Sequence, residues 1–216
     1  MGVHLNEVKT AVIDGRHKEI EGLVRAAIDD GADLNDLINK AMIAAMDVVG
    51  QRFSNSEIFV PEMLVSALTM KKGLDLIKPL LKDEDTGSKG TIIMCTVKGD
   101  IHDIGKNLVI MMLEGAGFQV VDLGVDLTVE TLIEKVGDIK PDILGLSALL
   151  TTTMPEMAKA IEALEAKGLR KDLKVMVGGA PLDAAFADKI GADGYGKDAA
   201  EAVKLVRGFM SASSGN

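Results

Sequence analysis

One stretch of the sequence joins a β-branched segment to a helical pattern: Val97-Lys98-Gly99-Asp100-Ile101-His102-Asp103-Ile104-Gly105. The segment before it predicts a strand, and the apolar spacing after it predicts a helix. His102 therefore lies in the loop at the carboxyl end of a strand, where open α/β sheets bind ligands. Asp100 can accept a hydrogen bond from one ring nitrogen of His102, which leaves the other nitrogen free to bind a metal. Gly105 has no side chain and so allows a large ligand to approach the backbone.

Around this stretch, the second half of the chain alternates strands with helices. We predict strands near Thr91–Val97, Gln119–Leu123, Ile143–Leu146, Lys174–Val177 and Asp193–Tyr195. We predict helices near Ile104–Gly115, Thr128–Val136, Met154–Lys167, Asp183–Lys189 and Ala199–Met210. This alternation is typical of α/β proteins with a parallel sheet covered on both faces. The expected fold is a flavodoxin-like (Rossmann-like), doubly wound, five-stranded parallel sheet with strand order 2-1-3-4-5.

The first half of the chain has apolar residues at helical spacing and predicts a four-helix bundle. Asp33 is the expected N-cap of the third helix, and Pro61 the expected start of the fourth. A polar segment without apolar residues separates the two halves. We therefore predict a bundle at residues 1–82, a linker at 83–90 and an α/β domain at 91–216.

Composition excludes several classes of protein. The formal net charge of −9 argues against a broad nucleic-acid-binding face. No apolar run reaches the roughly 18 residues of a membrane span, and no signal-peptide pattern begins the chain, so we expect a cytoplasmic protein. Cys95, the single cysteine, falls inside a predicted strand, where a buried and inert thiol is expected.

Two further motifs follow at the ends of predicted strands. Ser147-Ala148-Leu149 ends the third strand, and Gly178-Gly179 ends the fourth. In a sheet of order 2-1-3-4-5 these motifs and the histidine loop meet along one edge. Taken singly, each motif has an ordinary structural explanation. Asp100 or Thr151-Thr152-Thr153 could cap a helix, and a glycine pair usually marks a turn.

Taken together, Asp-x-His-x-x-Gly, Ser147-x-Leu149 and Gly178-Gly179 resemble the cobalamin-binding module of corrinoid proteins. The first half resembles the helical cap that precedes this module in methyl-transferring corrinoid proteins, including methionine synthase, at Gly50-Gln51-Arg52-Phe53 and Glu57-Ile58-Phe59-Val60-Pro61-Glu62-Met63-Leu64. The resemblance covers nearly the whole chain.

The resemblance implies a role for each motif residue. His102 would be the lower axial ligand of cobalt in place of the cofactor's dimethylbenzimidazole, and Asp100 would orient its ring. Asp103, Ile104 and Gly105 would face the corrin ring. Ser147 and Thr151 would supply hydroxyls around the buried nucleotide base, and Thr153 would place a second hydroxyl near Asp100. Gly178 and Gly179 would leave space for the nucleotide tail. The other cofactor-binding candidates are Leu149 and, lining the same slot, Tyr195 and Gly196. In the bundle, Phe59 and Met63 would shield the upper face of cobalt, although Met63 could equally be a packing residue.

The implied function is that of a corrinoid methyl carrier, which holds methylcobalamin in its loaded state and is not catalytic alone. Its partners would be a substrate-specific methyltransferase, a second methyltransferase acting on tetrahydrofolate, a pterin or coenzyme M, and a reductive activator protein. The donor could be methanol, a methylamine, a betaine or a methoxylated aromatic, and neither donor nor oligomeric state can be read from the sequence.

Three alternatives stay open at this point. The chain could be the cobalamin subunit of an adenosylcobalamin-dependent mutase, although the helical cap argues against that. It could be a cobalamin-dependent sensor or regulator, although it lacks a DNA-binding segment and has no tryptophan. A flavodoxin-like flavin protein would leave His102 and the bundle unexplained.

Overall fold

The computed structural model describes residues 3–81 and 89–213, which form two compact units. The first unit comprises the described residues up to Leu81 and the short segment Glu114–Gly117. The second unit comprises the other described residues. Residues 83–88 of the predicted linker, together with residue 82, lie outside the described residues.

The first unit is helical, as predicted. Its α-helices are α1 (Val3–Ile13), α2 (Ile20–Asp29), α3 (Leu34–Asp36), α4 (Ala44–Ser54) and α5 (Val60–Ile77). A π-helical segment, Leu37–Ile43, joins α3 to α4 without a break, so α3, this segment and α4 occupy the place of the third predicted helix. A 3₁₀ turn, Lys78–Leu80, follows α5. Helix α1 contacts α2, α4 and α5, and α5 also contacts α2 and α4.

Local signals in the sequence account for these helix starts. The Asp33 side chain accepts a hydrogen bond from the backbone N–H of Asp36 at 2.8 Å, which confirms the predicted N-cap. Before α5, the Glu62 carboxylate accepts a hydrogen bond from the N–H of Phe59 at 2.7 Å. The start of α5 therefore resembles the reciprocal half of a capping box, and the helix begins one residue before Pro61.

The second unit contains the predicted five-stranded parallel sheet, in the order β2-β1-β3-β4-β5. Its strands are β1 (Thr91–Thr96), β2 (Gln119–Asp122), β3 (Ile143–Ser147), β4 (Lys174–Gly178) and β5 (Gly194–Gly196). Its helices are α6 (Ile104–Gly115), α7 (Val129–Ile139), α8 (Met154–Ala166), α9 (Ala184–Lys189) and α10 (Ala199–Ser213). The predicted fold class is confirmed, and element ends differ by no more than three residues from prediction.

One face of the sheet carries a continuous apolar core. Alternate residues of the central strands pack there against helices α7, α8 and α9, because successive side chains of a strand point to opposite faces. Cys95 lies in this core, and burial raises the pKa of its thiol to about 12. The expectation that the thiol is buried is confirmed, and a raised pKa agrees with the expected low reactivity. Among the described residues, no helix is both long and apolar enough to cross a membrane.

A polar cluster fastens the amino-terminal edge of the sheet. Asp193, just before β5, accepts hydrogen bonds from Arg170 at 2.6 Å, from the N–H of Val175 at 2.7 Å and from Lys174 at 3.1 Å. Burial acts to raise the pKa of Asp193, but these donors outweigh burial and lower it. The cluster ties β4 to β5 at the edge remote from the histidine loop.

We predict that Asp193→Asn lowers the free energy of unfolding by about 1–3 kcal/mol at neutral pH, because it weakens three hydrogen bonds to a half-buried charge. A carboxyl whose pKa is lowered by folding contributes stability above its unfolded pKa, and that stability is lost as the pH falls through the folded pKa. The difference between the two proteins should therefore shrink below about pH 4. Urea unfolding at a series of pH values measures it. Asp188→Asn, at an exposed aspartate, is the matched control and should unfold like the unchanged protein.

Candidate functional site

The motif residues lie on loops at the carboxyl edge of the sheet. His102 lies between β1 and α6, as predicted. The buried hydroxyl of Thr96, the last residue of β1, donates a hydrogen bond to the His102 carbonyl at 3.0 Å. This bond fixes the backbone of His102 directly against the end of the strand.

Asp100 is the most constrained residue of the loop. Its side chain is fully buried, yet it carries a carboxylate. One oxygen, Oδ1, accepts hydrogen bonds from Nδ1 of His102 at 2.7 Å and from the backbone N–H of His102 at 3.1 Å. The other, Oδ2, accepts from the N–H groups of Leu149 and Leu150 at 2.8 and 3.2 Å and from the Thr153 hydroxyl at 2.8 Å. The carboxylate thus joins the β1–α6 loop to the β3–α8 loop.

These hydrogen bonds determine the charge of Asp100 and the proton position on His102. Burial alone would raise the pKa of Asp100, but the donors from His102, Leu149 and Thr153 lower it below its ordinary value. Asp100 is therefore ionised at neutral pH and can only accept hydrogen bonds. The proton of a neutral His102 ring consequently lies on Nδ1, and Nε2 carries a lone pair.

The free nitrogen of His102 is accessible. The side chain is 47% exposed, and Nε2 makes no hydrogen bond to any residue that the structure describes. A histidine held at Nδ1 by a carboxylate, with Nε2 free, is the usual arrangement of a metal-binding histidine. The site therefore presents one oriented nitrogen ligand.

The capping interpretations of these residues are wrong in their details. Asp100 does not cap α6, because that helix begins at Ile104, four residues later. Thr153 does occupy the N-cap position of α8, but its side chain makes no capping bond and contacts Asp100 instead. Its hydroxyl also lies 2.9 Å from the Leu150 carbonyl. A hydroxyl has one proton and can donate to only one of these two acceptors. The ionised carboxylate of Asp100 is the stronger acceptor, so the proton is directed to it.

Large apolar side chains are exposed around His102. We call this set the apolar rim: Ile101, Ile104, Val125, Leu149 and Leu150. Ile101 is 73% exposed and Ile104 is 81% exposed, in loops that meet at the same edge of the sheet. Exposed apolar residues grouped around a polar ligand nitrogen indicate a binding surface for a largely apolar ligand.

The three motif glycines differ in how much space a side chain would find at each position. A Cβ at Gly105 would meet no other described residue within 4 Å, so nothing in this part of the chain demands glycine there. A Cβ at Gly179 would collide with the Ala148 carbonyl, and Gly179 has φ +140°. A Cβ at Gly178 would lie 3.1 Å from the Gly196 carbonyl oxygen. The glycine pair is therefore explained by close approach of the chain to itself, whereas Gly105 leaves an open surface.

The remaining candidates of the sheet unit lie at the same edge. Strand pairing aligns Thr96 with Ser147, Ser147 with Gly178, and Gly178 with Gly196 in one row. Tyr195 precedes Gly196 in β5 and is half-buried. Two other candidates lie in loops: Thr151 is exposed before α8, and Asp103 is half-buried before α6, where Asn107 donates to its carboxylate at 3.1 Å. Contact of these residues with a cofactor remains a prediction.

Comparisons with known proteins identify the kind of molecule this is. Residues 90–204 match the B12 binding domain family, and residues 4–78 match a second family with the same description. A corrinoid protein of Desulfitobacterium hafniense (strain Y51) is 42% identical over 95% of this chain and 97% of its own length. The chain belongs to the B12-binding corrinoid protein family.

Two more relatives agree with this assignment. Trimethylamine corrinoid protein 1 of Methanosarcina acetivorans is 41% identical over 94% of this chain and 95% of its own. The methanol:cobalamin methyltransferase complex MtaBC of Methanosarcina barkeri contains a chain with a TM-score of 0.86 and 31% identity. The match covers 96% of this chain and 80% of that one. The relatives do not favour the mutase, sensor or flavin alternatives, and the cofactor is a cobalamin-type corrinoid.

The residues of the sheet unit fit such a cofactor. The unpaired Nε2 of His102 is a suitable ligand for cobalt, and the apolar rim suits a broad ring. Gly105 leaves the adjoining backbone uncovered.

Phe59 and Met63 belong to the first unit. Phe59 is 67% exposed, and Met63 is fully buried in α5. Burial of Met63 agrees with a packing role, and the exposure of Phe59 leaves its ring available to a ligand. Their proposed role in shielding cobalt remains a prediction.

Sequence reasoning missed two residues that hold the loop. Thr96 bonds to the His102 carbonyl, and Asp126 accepts a hydrogen bond from the Gly99 N–H at 2.7 Å. The Thr96 contact follows from its position at the end of β1, directly before the loop. The Asp126 contact follows from the sheet order, because β1 and β2 are neighbours and their carboxyl ends meet. The polar residues at the end of β2 were the available signal.

We predict that Asp100→Asn destabilises the cofactor-free protein by about 1–3 kcal/mol, because in either orientation the amide nitrogen would face a backbone N–H, of His102 or of Leu149 and Leu150, which can only donate hydrogen bonds. Urea unfolding measures this loss. Asp103→Asn is the matched control, since Asp103 is half-buried and its carboxylate accepts from Asn107 alone among the side chains described. Equal stability of the two variants would contradict the role assigned to Asp100.

Proposed function

We propose that this protein carries a methyl group between two methyltransferases, with His102 as the lower ligand of its corrinoid cobalt. The single observation that carries the proposal is the free Nε2 of a histidine fixed by a buried carboxylate, within a chain of the corrinoid protein family. When bound, the corrinoid supplies a cobalt atom that accepts a methyl group and gives it up again.

The chain's own residues hold and orient the cofactor. Asp100 keeps the proton on Nδ1 of His102, so that the lone pair of Nε2 faces the metal. Thr153 and the N–H groups of Leu149 and Leu150 hold Asp100 in turn. The apolar rim would contact the corrin ring and would help to exclude water from the ligand nitrogen. Ser147 and Thr151 lie beside the nucleotide tail in this proposal.

We infer that the protein does not activate the methyl donor itself. A methylated amine or alcohol is a poor electrophile, and its leaving group needs a positioned proton or an equivalent acid. Asp100 cannot provide one, because it is ionised, fully buried and surrounded by donors. His102 could not provide one either, because its Nε2 would hold the cobalt and its Nδ1 donates to Asp100. A substrate-specific methyltransferase must therefore supply the activation.

The relatives support this division of labour. One is named for trimethylamine, and another forms part of a methanol:cobalamin methyltransferase complex. We propose a small methylated donor of the same chemical kind. The acceptor side would be a second methyltransferase acting on tetrahydrofolate, a pterin or coenzyme M. Cobalt that strays to the +2 state would need a reductive activator protein.

We predict that cobalt in the +2 state is coupled to one nitrogen of His102. The protein is labelled with ¹⁵N-histidine and loaded with unlabelled cobalamin, so that the electron-spin splitting changes from a triplet to a doublet only if a protein histidine binds. The chain has three histidines, and His102→Ala should abolish the doublet. His17→Ala is the control and should keep it. A triplet that persists in the labelled protein would overturn the ligand assignment.

We also predict that the loaded, reduced protein alone forms no methylated cofactor from trimethylamine, dimethylamine or methanol. Addition of the matching methyltransferase should start the reaction, because activation of the leaving group comes from that partner. Visible absorption of the corrinoid follows the change. Sustained demethylation by this protein without a partner would show that it is a complete enzyme.

A further inference from the structure

The loop that carries His102 is braced from a second direction, by Asp126 in the loop between β2 and α7. Its carboxylate accepts a hydrogen bond from the N–H of Gly99 at 2.7 Å. Its own backbone N–H donates to the carbonyl of Asp100 at 2.9 Å. Asp126 therefore hydrogen-bonds to both ends of the Gly99–Asp100 dipeptide.

The backbone around this brace adopts an uncommon conformation. Asp126 has φ +53°, in the left-handed region that residues with a side chain seldom enter, although aspartate tolerates it better than most. Its side chain is exposed, so burial in a core does not impose that conformation. Gly99 has φ +80° on the other side of the contact. Backbone held in this region without a packing reason points to a functional constraint.

The hydrogen bond from the Asp126 N–H fixes the backbone carbonyl of Asp100, which the side-chain contacts of Asp100 do not fix. The carboxylate of Asp100 is fixed by Leu149, Leu150 and Thr153, which sets one end of the residue. The carbonyl at the other end leads through Ile101 to His102. Ile101 is 73% exposed, so its side chain contributes little to fixing the intervening backbone. The bond from Asp126 orients that carbonyl, and the Thr96 hydroxyl fixes the carbonyl of His102 beyond it.

We propose that Asp126 is a positioning residue for His102, which sets the path of the backbone between Asp100 and the ligand nitrogen. This inference rests on the proposed function, in which Nε2 of His102 binds cobalt. Asp126 does not touch the ring or the cofactor in this proposal. It acts through the Gly99 N–H and the Asp100 carbonyl. In this way it sets the fraction of molecules in which the imidazole ring of His102 is oriented to bind cobalt.

Two variants separate the side-chain bond from the backbone strain. Asp126→Gly keeps the left-handed backbone accessible and removes the acceptor. Asp126→Asn keeps an oxygen acceptor and tolerates the same backbone. Asp138→Ala, which removes an exposed carboxylate from the last turn of α7, controls for a general effect of charge.

The experiment uses the full chain with ¹⁵N-histidine and unlabelled cobalamin in the +2 state. Acid releases histidine from cobalt, so the pH at which half of the labelled coupling is lost reports the strength of ligation. In Asp126→Gly this midpoint should rise by about 1 pH unit, which corresponds to about tenfold weaker ligation. Asp126→Asn and Asp138→Ala should keep the midpoint of the unchanged protein. In the cofactor-free protein, amide exchange of Gly99 should be faster in Asp126→Gly alone.

The outcomes distinguish this inference from the function on which it rests. Equal midpoints for Asp126→Gly and the unchanged protein would overturn the inference and leave the ligation by His102 intact. The inference would also be overturned if Asp138→Ala raised the midpoint as much as Asp126→Gly does. It would be overturned likewise if the midpoint of Asp126→Asn differed from that of the unchanged protein. Absence of labelled coupling in the unchanged protein would overturn the proposed function, and the positioning role with it.

Discussion

The site depends on one buried negative charge. A carboxylate removed from water must be compensated by hydrogen bonds, and Asp100 obtains them from donors on two separate loops. The donors keep Asp100 ionised. Its ionised oxygens in turn orient the ring of His102 and hold the β3–α8 loop against the β1–α6 loop. Thr153, at the N-cap position of α8, uses its hydroxyl for Asp100 and makes no side-chain capping bond.

The fold follows from patterns that are local in the sequence. The change from helical spacing to alternating strands and helices placed every element of the sheet unit, and Asp33 marked a helix start through its own side chain. Strand order came from the flavodoxin-like topology, and it brought the histidine loop, Ser147 and the glycine pair to one edge. The π-helical segment Leu37–Ile43 could not be predicted, because its apolar spacing is close to that of an α-helix.

The site was predictable only where its residues lie in a motif. Asp100 and His102 are two positions apart, and their contact follows from that spacing. The contact of Asp126 with Gly99 spans 27 positions and depends on a left-handed turn at the end of β2, which no periodicity reveals. The glycine pair was assigned to the cofactor, yet Gly179 is already demanded by the Ala148 carbonyl. A motif residue can thus serve the scaffold and mark the site at once.

The environment of Cys95 has a consequence for chemical durability. A thiol reacts with methyl donors and oxidants through its thiolate, which is the nucleophile, and burial raises the pKa of the Cys95 thiol to about 12, so that the thiol stays protonated at neutral pH. Cys95 lies in β1, just before the Thr96 that holds the ligand loop. A reactive sulfur at this position would be open to S-methylation and oxidation. Burial of Cys95 therefore keeps the strand that supports the ligand loop chemically stable.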